Sequence, residues 1–218
     1  MKRIIWDWNG TLLDDVDLSF QCINRLLVNN DLKPLSSLEA YRNVFDFPIQ
    51  SYYEKVGFDF SKKSYATLAQ SYMADYQEKS YSCHLTDMAV STLALARELG
   101  YSQTILSASK KEYLDAQVQQ YSIEEYVDGV LGIQDIYANS KQKLAQSFVE
   151  GCNQKDEIWF VGDSIHDYEV AHSVGAHCIL VTSGHQSRDR LLKCGVPVFD
   201  NTKECLEYIH ERNYNHKK

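Results

Sequence analysis

At 218 residues, with 44% hydrophobic and 24% charged side chains, the chain has ordinary globular composition and room for one substantial core plus an inserted subdomain, which excludes a disordered or fibrous chain. Its 30 acidic against 22 basic residues give a formal charge of −8, and no basic run occurs apart from Lys217 and Lys218, so nucleic acid and anionic membranes are excluded as expected partners. A small phosphorylated ligand stays open, because one local lysine and oriented amides outweigh a screened global charge.

The N-terminus passes from Met1, Lys2 and Arg3 straight into Ile4, Ile5, Trp6 and Asp7. That is too short and too soon acidic for a signal peptide. No apolar stretch approaches membrane-spanning length, so the expected location is the cytoplasm. Cys22, Cys83, Cys152, Cys178, Cys194 and Cys205 contain no Cys-x-x-Cys pair and read as reduced, mostly core residues.

The first apolar run, 3–8, predicts a buried strand. Its tip reads Asp7-Trp8-Asn9-Gly10-Thr11. An acidic side chain followed by a glycine suits an exposed nucleophile or metal ligand, and it equally suits a plain Asx turn. Residues 15–83 then show helical periodicity and no convincing strand. Val16, Phe20, Ile23 and Leu27 form one stripe and Tyr65, Leu68, Ala69, Tyr72 and Tyr76 another, read as the inner face of a small helical bundle. Within this segment Arg42 and Phe45-Asp46-Phe47-Pro48 offer either a cation and aromatic wall for a ligand or a helix end with Arg42 solvated.

Strands are predicted next at 104–108, 128–133, 157–162 and 178–182, with a sixth candidate at 196–199. They alternate with helices at 87–99, 111–120, 141–152 and 168–174. That alternation predicts an α/β fold with a doubly wound parallel sheet, and ligands of such sheets bind beyond the carboxyl ends of the strands. The strand at 104–108 delivers Ser107, Ala108 and Ser109 to that edge, where hydroxyl and amides make either an anion site or an N-cap. Asn139-Ser140-Lys141-Gln142-Lys143 opens a later helix, a slightly unfavourable place for lysine. The strand at 157–162 runs into Gly162-Asp163-Ser164-Ile165-His166-Asp167, whose carboxylates either converge on a hard cation or cap and favour the helix start.

Taken together, Asp7-Trp8-Asn9-Gly10-Thr11, Ser107, Lys141 and Gly162 to Asp167 resemble the haloacid dehalogenase superfamily, within it the phosphoglycolate phosphatase and β-phosphoglucomutase group. The resemblance implies a Rossmann-like core of residues 1–14 and 84–218 and an inserted helical cap of residues 15–83. It implies a Mg²⁺-dependent phosphatase acting on a small phosphorylated metabolite. Asp7 would attack phosphorus to form an aspartyl-phosphate. Ser107 and the backbone of Ala108, with the loop residues Trp8 and Gly10, would hold the phosphoryl group. Lys141 would steady Asp7 and the phosphate, with Lys143 as fallback. Mg²⁺ would sit among Asp7, the backbone carbonyl of Asn9, Asp163 and, directly or through water, Asp167.

Asn9 departs from the pattern that the resemblance implies, which has a second aspartate there as general acid and base. A carboxamide exchanges no proton at neutral pH, at a cost of roughly 10²- to 10⁴-fold. Three readings follow. In the first, the chain is a phosphatase that is slow, uses easy leaving groups or borrows an acid such as His166, so Asn9→Asp would raise turnover. In the second, it is a carbon-phosphorus or carbon-halogen hydrolase, the former needing a lysine from Lys33, Lys55, Lys62 or Lys63. In the third, it binds a phosphorylated ligand without turnover. The oligomeric state is not readable.

Overall fold

In a computed structural model, which describes residues 1–134 and 141–215, the chain runs through β1 (Lys2–Trp6), β2 (Leu13–Asp14), α1 (Val16–Val28), α2 (Leu38–Val44), α3 (Ile49–Lys55), α4 (Tyr65–Ser80) and β3 (His84–Leu85). It continues with α5 (Ala89–Glu98), β4 (Ser102–Lys110), α6 (Lys111–Gln120), β5 (Gly129–Ile133), α7 (Lys141–Glu150), β6 (Glu157–Gly162), α8 (Ile165–Ser173), β7 (His177–Val181), α9 (Arg188–Leu191), β8 (Val198–Phe199) and α10 (Thr202–Asn215). Asn139 and Ser140, and the terminal Lys217 and Lys218, lie outside the described residues.

The main sheet has the order β5-β4-β1-β6-β7-β8, with every pairing parallel. This is the expected doubly wound α/β architecture, with β1 central because both of its faces are apolar. Side chains alternate along each strand. Ile4 and Trp6 of β1, Trp159 and Val161 of β6, and Ile179 and Val181 of β7 join Leu93 and Ala96 of α5 and Leu206 and Ile209 of α10 in one cluster. Ile5, Phe160, Cys178 and Leu180 turn the other way, onto Ala145 of α7 and Val170 and Ala171 of α8. All six cysteines are free.

Helices α1 to α4 keep an apolar cluster of their own around Val16, Ile23, Leu27, Tyr41, Tyr52, Tyr53 and Leu68. The α1 stripe packs as the periodicity predicts. Leu68 of α4 is fully buried, which stabilises by about 1.5–3 kcal/mol. Among the described residues no helix is long and apolar enough to cross a membrane.

Several boundaries differ from the sequence expectations. The first strand ends at Trp6 rather than 8, because the Trp8 carbonyl accepts the N–H groups of Thr11, Leu12 and Leu13 and curls the chain. The helix expected at 168–174 starts at Ile165, where Ser164 and Asp167 form a reciprocal capping box. The antiparallel pair of β2 and β3 joins the two ends of the 15–83 segment, and α10 lies beyond any helix expected from the sequence.

Candidate active site

The carboxyl edge of the sheet gathers Asp7 beyond β1, Ser107 in β4, Lys141 at the start of α7, and Asp163 and Asp167 beyond β6. Each is at most 5% exposed. The Lys141 ammonium donates to Asp7 Oδ1 and to Asp167 Oδ1. Lys143, two residues on, is exposed. Asp7, Asp163 and Asp167 each offer an oxygen within 4.8 Å of the others.

These oxygens are not equally committed. Asp167 Oδ1 takes Lys141, and its Oδ2 accepts the N–H groups of Asp163 and Ser164 and the Ser164 hydroxyl at 3.1, 3.0 and 2.7 Å. Asp163 does not cap α8. Its Oδ2 accepts the His185 N–H at 2.6 Å. Among the described residues, Asp7 Oδ2 has only a long contact of 3.4 Å from the Thr11 hydroxyl. Asp7 and Asp163 thus keep oxygen capacity to spare, while Asp167 is held as a positioned negative charge.

Electrostatics match that account. Burial pushes the Asp7 carboxyl well above the usual range, and Asp167 and Asp163 add to the rise while Lys141 opposes it. Burial likewise takes Asp163 up to about 6, with Asp167 adding and His185 opposing. Burial acts to lower the Lys141 ammonium, but Asp167 and Asp7 overcome it and its pKa is raised. Three buried carboxylates share one buried lysine, so the site has a deficit of positive charge.

Backbone geometry makes this packing. Gly10 adopts φ +75°, and a Cβ there would lie 2.5 Å from Asp163 Oδ2 and 2.7 Å from His185 Cδ2. A Cβ on Gly184 would lie 2.0 Å from Asp163 Oδ2. Both positions need a bare backbone.

The Ser107 hydroxyl accepts the Ser109 N–H at 3.0 Å. Neither serine caps a helix, since β4 runs on to Lys110 and α6 follows it. Ala108 is exposed at that strand tip. The Trp8 indole is fully buried in the core and donates to Gln117 Oε1 at 2.9 Å. A large apolar ring gains more there than beside a polar edge, so only its main chain borders the site.

Asn9 points away from the apolar core. Its Nδ2 donates to Asp15 Oδ2 at 3.1 Å and to the Tyr76 hydroxyl at 2.8 Å. Its Oδ1 accepts the Ser109 hydroxyl at 2.7 Å and the Ser107 hydroxyl at 3.5 Å. Asp15 and His185 are 2% and 5% exposed and form an ion pair of 3.2 Å. Burial works against both charges. The pairing overcomes it, holding Asp15 below the usual carboxylate range and raising His185 to about 9. The Tyr41 hydroxyl meets His185 Nδ1 at 2.8 Å.

Asp15, His185, Tyr41 and the reach of Tyr76 were not foreseen as site residues. Tyr76 belongs to the stripe read as packing, yet its hydroxyl leaves that face to bind Asp15 at 2.6 Å. Arg42 is half-buried and tied to the main chain. It donates to the Gly184 and Ser183 carbonyls at 2.9 and 3.2 Å. Phe45 lies against His185 at 4.9 Å and Phe47 stacks on His166 at 4.7 Å between centroids, so His166 serves the contact between helices and sheet. Lys33, Lys55, Lys62 and Lys63 are exposed, the last three paired with Asp46, Asp59 and Asn30.

Residues 4–181 match the profile of the haloacid dehalogenase-like hydrolases. No curated protein matches the sequence. Among solved structures, a protein described as a predicted phosphatase from Clostridium acetobutylicum has a TM-score of 0.80 at 20% identity, covering 96% of this chain and 98% of its own. A haloacid dehalogenase-like hydrolase from Streptococcus pneumoniae has 0.79 at 18%, covering 95% and 97%. A predicted phosphoglycolate phosphatase from Haemophilus somnus has 0.72 at 18%, covering 96% and 98%. At such identities the likeness speaks to the fold.

Proposed function

Because the chain belongs to the haloacid dehalogenase-like hydrolases, we propose that it is a phosphatase of small phosphorylated metabolites, with Asp7 as nucleophile. The observation that carries this reading is Lys141, a buried cation bound to both Asp7 and Asp167 beside Asp163. A carboxylate attacks a phosphate dianion only where positive charge offsets the repulsion between them. Fold neighbours described as predicted phosphatases agree with it.

A hard divalent cation fits the donor set, since the oxygens are all carboxylate and the buried charge is net negative. Mg²⁺ would be held by Asp7 and Asp163 with the Asn9 main-chain carbonyl, and by Asp167 through water, because both of its oxygens are engaged. When bound, it supplies charge neutralisation on the phosphoryl oxygens. Asp7 attacks phosphorus in line with the leaving group, and an aspartyl-phosphate forms as the phosphorus–oxygen ester bond breaks. Lys141 holds the Asp7 carboxylate in place. The Ser107 hydroxyl and the main-chain amides near Ala108 and Gly10 bind the phosphoryl oxygens. Residues 15–83 act as a cap that excludes bulk water. Water then hydrolyses the acyl phosphate and frees Asp7.

Asn9 donates and accepts hydrogen bonds without exchanging a proton, so substrates with acidic leaving groups, such as aryl and acyl phosphates, are favoured. The exposure of Lys33, Lys55, Lys62 and Lys63 leaves carbon-phosphorus chemistry without its amine. The test is a panel of aryl, acyl, sugar, nucleotide and glycolate-like phosphates with and without Mg²⁺. Metal-dependent phosphate release that disappears in Asp7→Asn is expected, and equal turnover in Asp7→Asn would overturn the mechanism.

A further inference from the structure

The Asp15 carboxylate is crowded with donors. Oδ1 accepts the Gly10 N–H at 2.9 Å and pairs with His185 Nε2 at 3.2 Å. Oδ2 accepts Asn9 Nδ2 at 3.1 Å, the Tyr76 hydroxyl at 2.6 Å and the Ser19 hydroxyl at 3.3 Å. The contacts come from the Asp7 loop, from α1, from α4 and from the loop after β7.

Asn9, Tyr76 and Asp15 form a closed triangle. Asn9 donates to Tyr76 and Asp15, and Tyr76 donates its only proton to Asp15. This fixes which end of the Asn9 amide faces Asp15. The carbonyl end is thereby turned to the Ser107 and Ser109 hydroxyls, beside Asp7.

We infer that Asp15 is a positioning residue for Asn9, and that positions 9 and 15 form one unit that carries a single negative charge. The inference rests on the phosphatase reading for its kinetic consequence and on hydrogen-bond chemistry for its structural one. An aspartate at position 9 would set an oxygen in place of Nδ2, 3.1 Å from Asp15 Oδ2 and 2.8 Å from the Tyr76 oxygen. Two carboxylates would face one phenolic proton. Asn9→Asp, which the sequence alone suggests as a gain, is therefore expected to lose turnover. Asp15→Asn fails for the opposite reason. One amide oxygen cannot serve both the Gly10 and His185 side and the Asn9, Tyr76 and Ser19 side.

The exchange Asn9→Asp with Asp15→Asn satisfies these donors again, except the Ser19 hydroxyl, whose contact with position 15 is the longest at 3.3 Å. The carboxylate at position 9 accepts Tyr76, the new amide and the two serines. The amide oxygen at position 15 accepts Gly10 and His185. The experiment measures kcat and KM for p-nitrophenyl phosphate with Mg²⁺, and the unfolding temperature without substrate, for the wild type, both single variants and the exchange.

Each single variant is expected to lose at least tenfold in kcat with KM little changed, and to unfold at a lower temperature. The exchange is expected to recover at least tenfold over the worse single variant and most of the unfolding temperature. Additive losses in the exchange overturn the inference, as does Asn9→Asp with wild-type kcat. If Asn9→Asp does not fold, a folded exchange upholds the inference and an unfolded one overturns it. If the wild type releases no phosphate from any substrate of the panel, the phosphatase reading fails, and the unfolding temperatures alone decide the pairing by the same criterion.

Discussion

Two layers meet at Asp7, and they are built differently. Below lie Asp7, Ser107, Lys141, Asp163 and Asp167, set on strand ends and helix starts and fixed by main-chain groups and a capping box. Above lie Asp15, Tyr41, Arg42, Tyr76 and His185, drawn from α1, α2, α4 and the loop after β7, and joined chiefly by side chains. A side chain on a rigid element holds its geometry at all times. One held by partners from several helices holds it only while those helices are docked. On the proposed mechanism the lower layer carries the chemistry, while in the upper layer Asp15 and Tyr76 position Asn9 and Arg42 governs access, and each substitution below tests that division.

The largest effect is expected from Asp7→Asn. Removing a nucleophile costs on the order of 10⁴-fold or more, and no acyl-phosphate should accumulate when the variant is quenched in acid. Lys141→Met comes next. It removes the cation bound to Asp7 and Asp167 and is expected to lose roughly 10²- to 10³-fold in kcat, the range for one electrostatic contact to the reacting group. Steady-state rates beside a circular dichroism check of folding decide it. Wild-type kcat in Lys141→Met would move the chemistry out of the lower layer.

Gly184→Ala probes the border between the layers. The new methyl would overlap the Asp163 carboxylate at 2.0 Å, and that carboxylate must turn. A Mg²⁺ affinity lower by roughly 10- to 100-fold, the usual loss when a ligand's support is disturbed, is expected in a titration of activity against Mg²⁺. An unchanged Mg²⁺ requirement would remove Asp163 from the metal set.

The two layers also differ in how far the sequence discloses them. Apolar runs such as Ile4-Ile5-Trp6 and Ile158 to Val161 mark the strands, and the acidic or hydroxyl residues following them mark the lower layer, because chain direction alone places strand ends on one edge. Ser164 and Asp167 carry a capping signal in their spacing. Lys141 stands at a helix start where its charge is unfavourable. The upper layer has no such local signature. Asp15 meets Tyr76 across 61 positions and His185 across 170, so these pairings exist only once the helices have packed. Two-residue strands such as β2 and β3 are too short for any periodicity. The spacing of Cys205, Leu206 and Ile209 in α10 is helical and could have been read. Trp8 adjoins the nucleophile in the chain, and its side chain turns to the opposite face, into the core.

The smallest effect, and the one that bears most directly on the upper layer, is expected from Arg42→Ala. The Arg42 fork spans the Ser183 and Gly184 carbonyls, while Arg190 binds the Arg42 and Phe45 carbonyls and Gln186 Nε2 binds that of Phe45. Several ties remain after the substitution, so docking weakens without being lost. A hydrogen bond to a charged group contributes about 1.5–3 kcal/mol, and with the other ties intact the lower end of that range applies, a loss of roughly tenfold. If α2 controls access alone, the loss falls on KM, kcat stays within about twofold, and amide exchange over 38–47 speeds up. Arg42→Lys should recover part of it only, because one ammonium cannot reproduce the planar fork across two carbonyls. A fall in kcat at constant KM would instead mean that docking of α2 shapes the reacting geometry, and the two layers would then act as one.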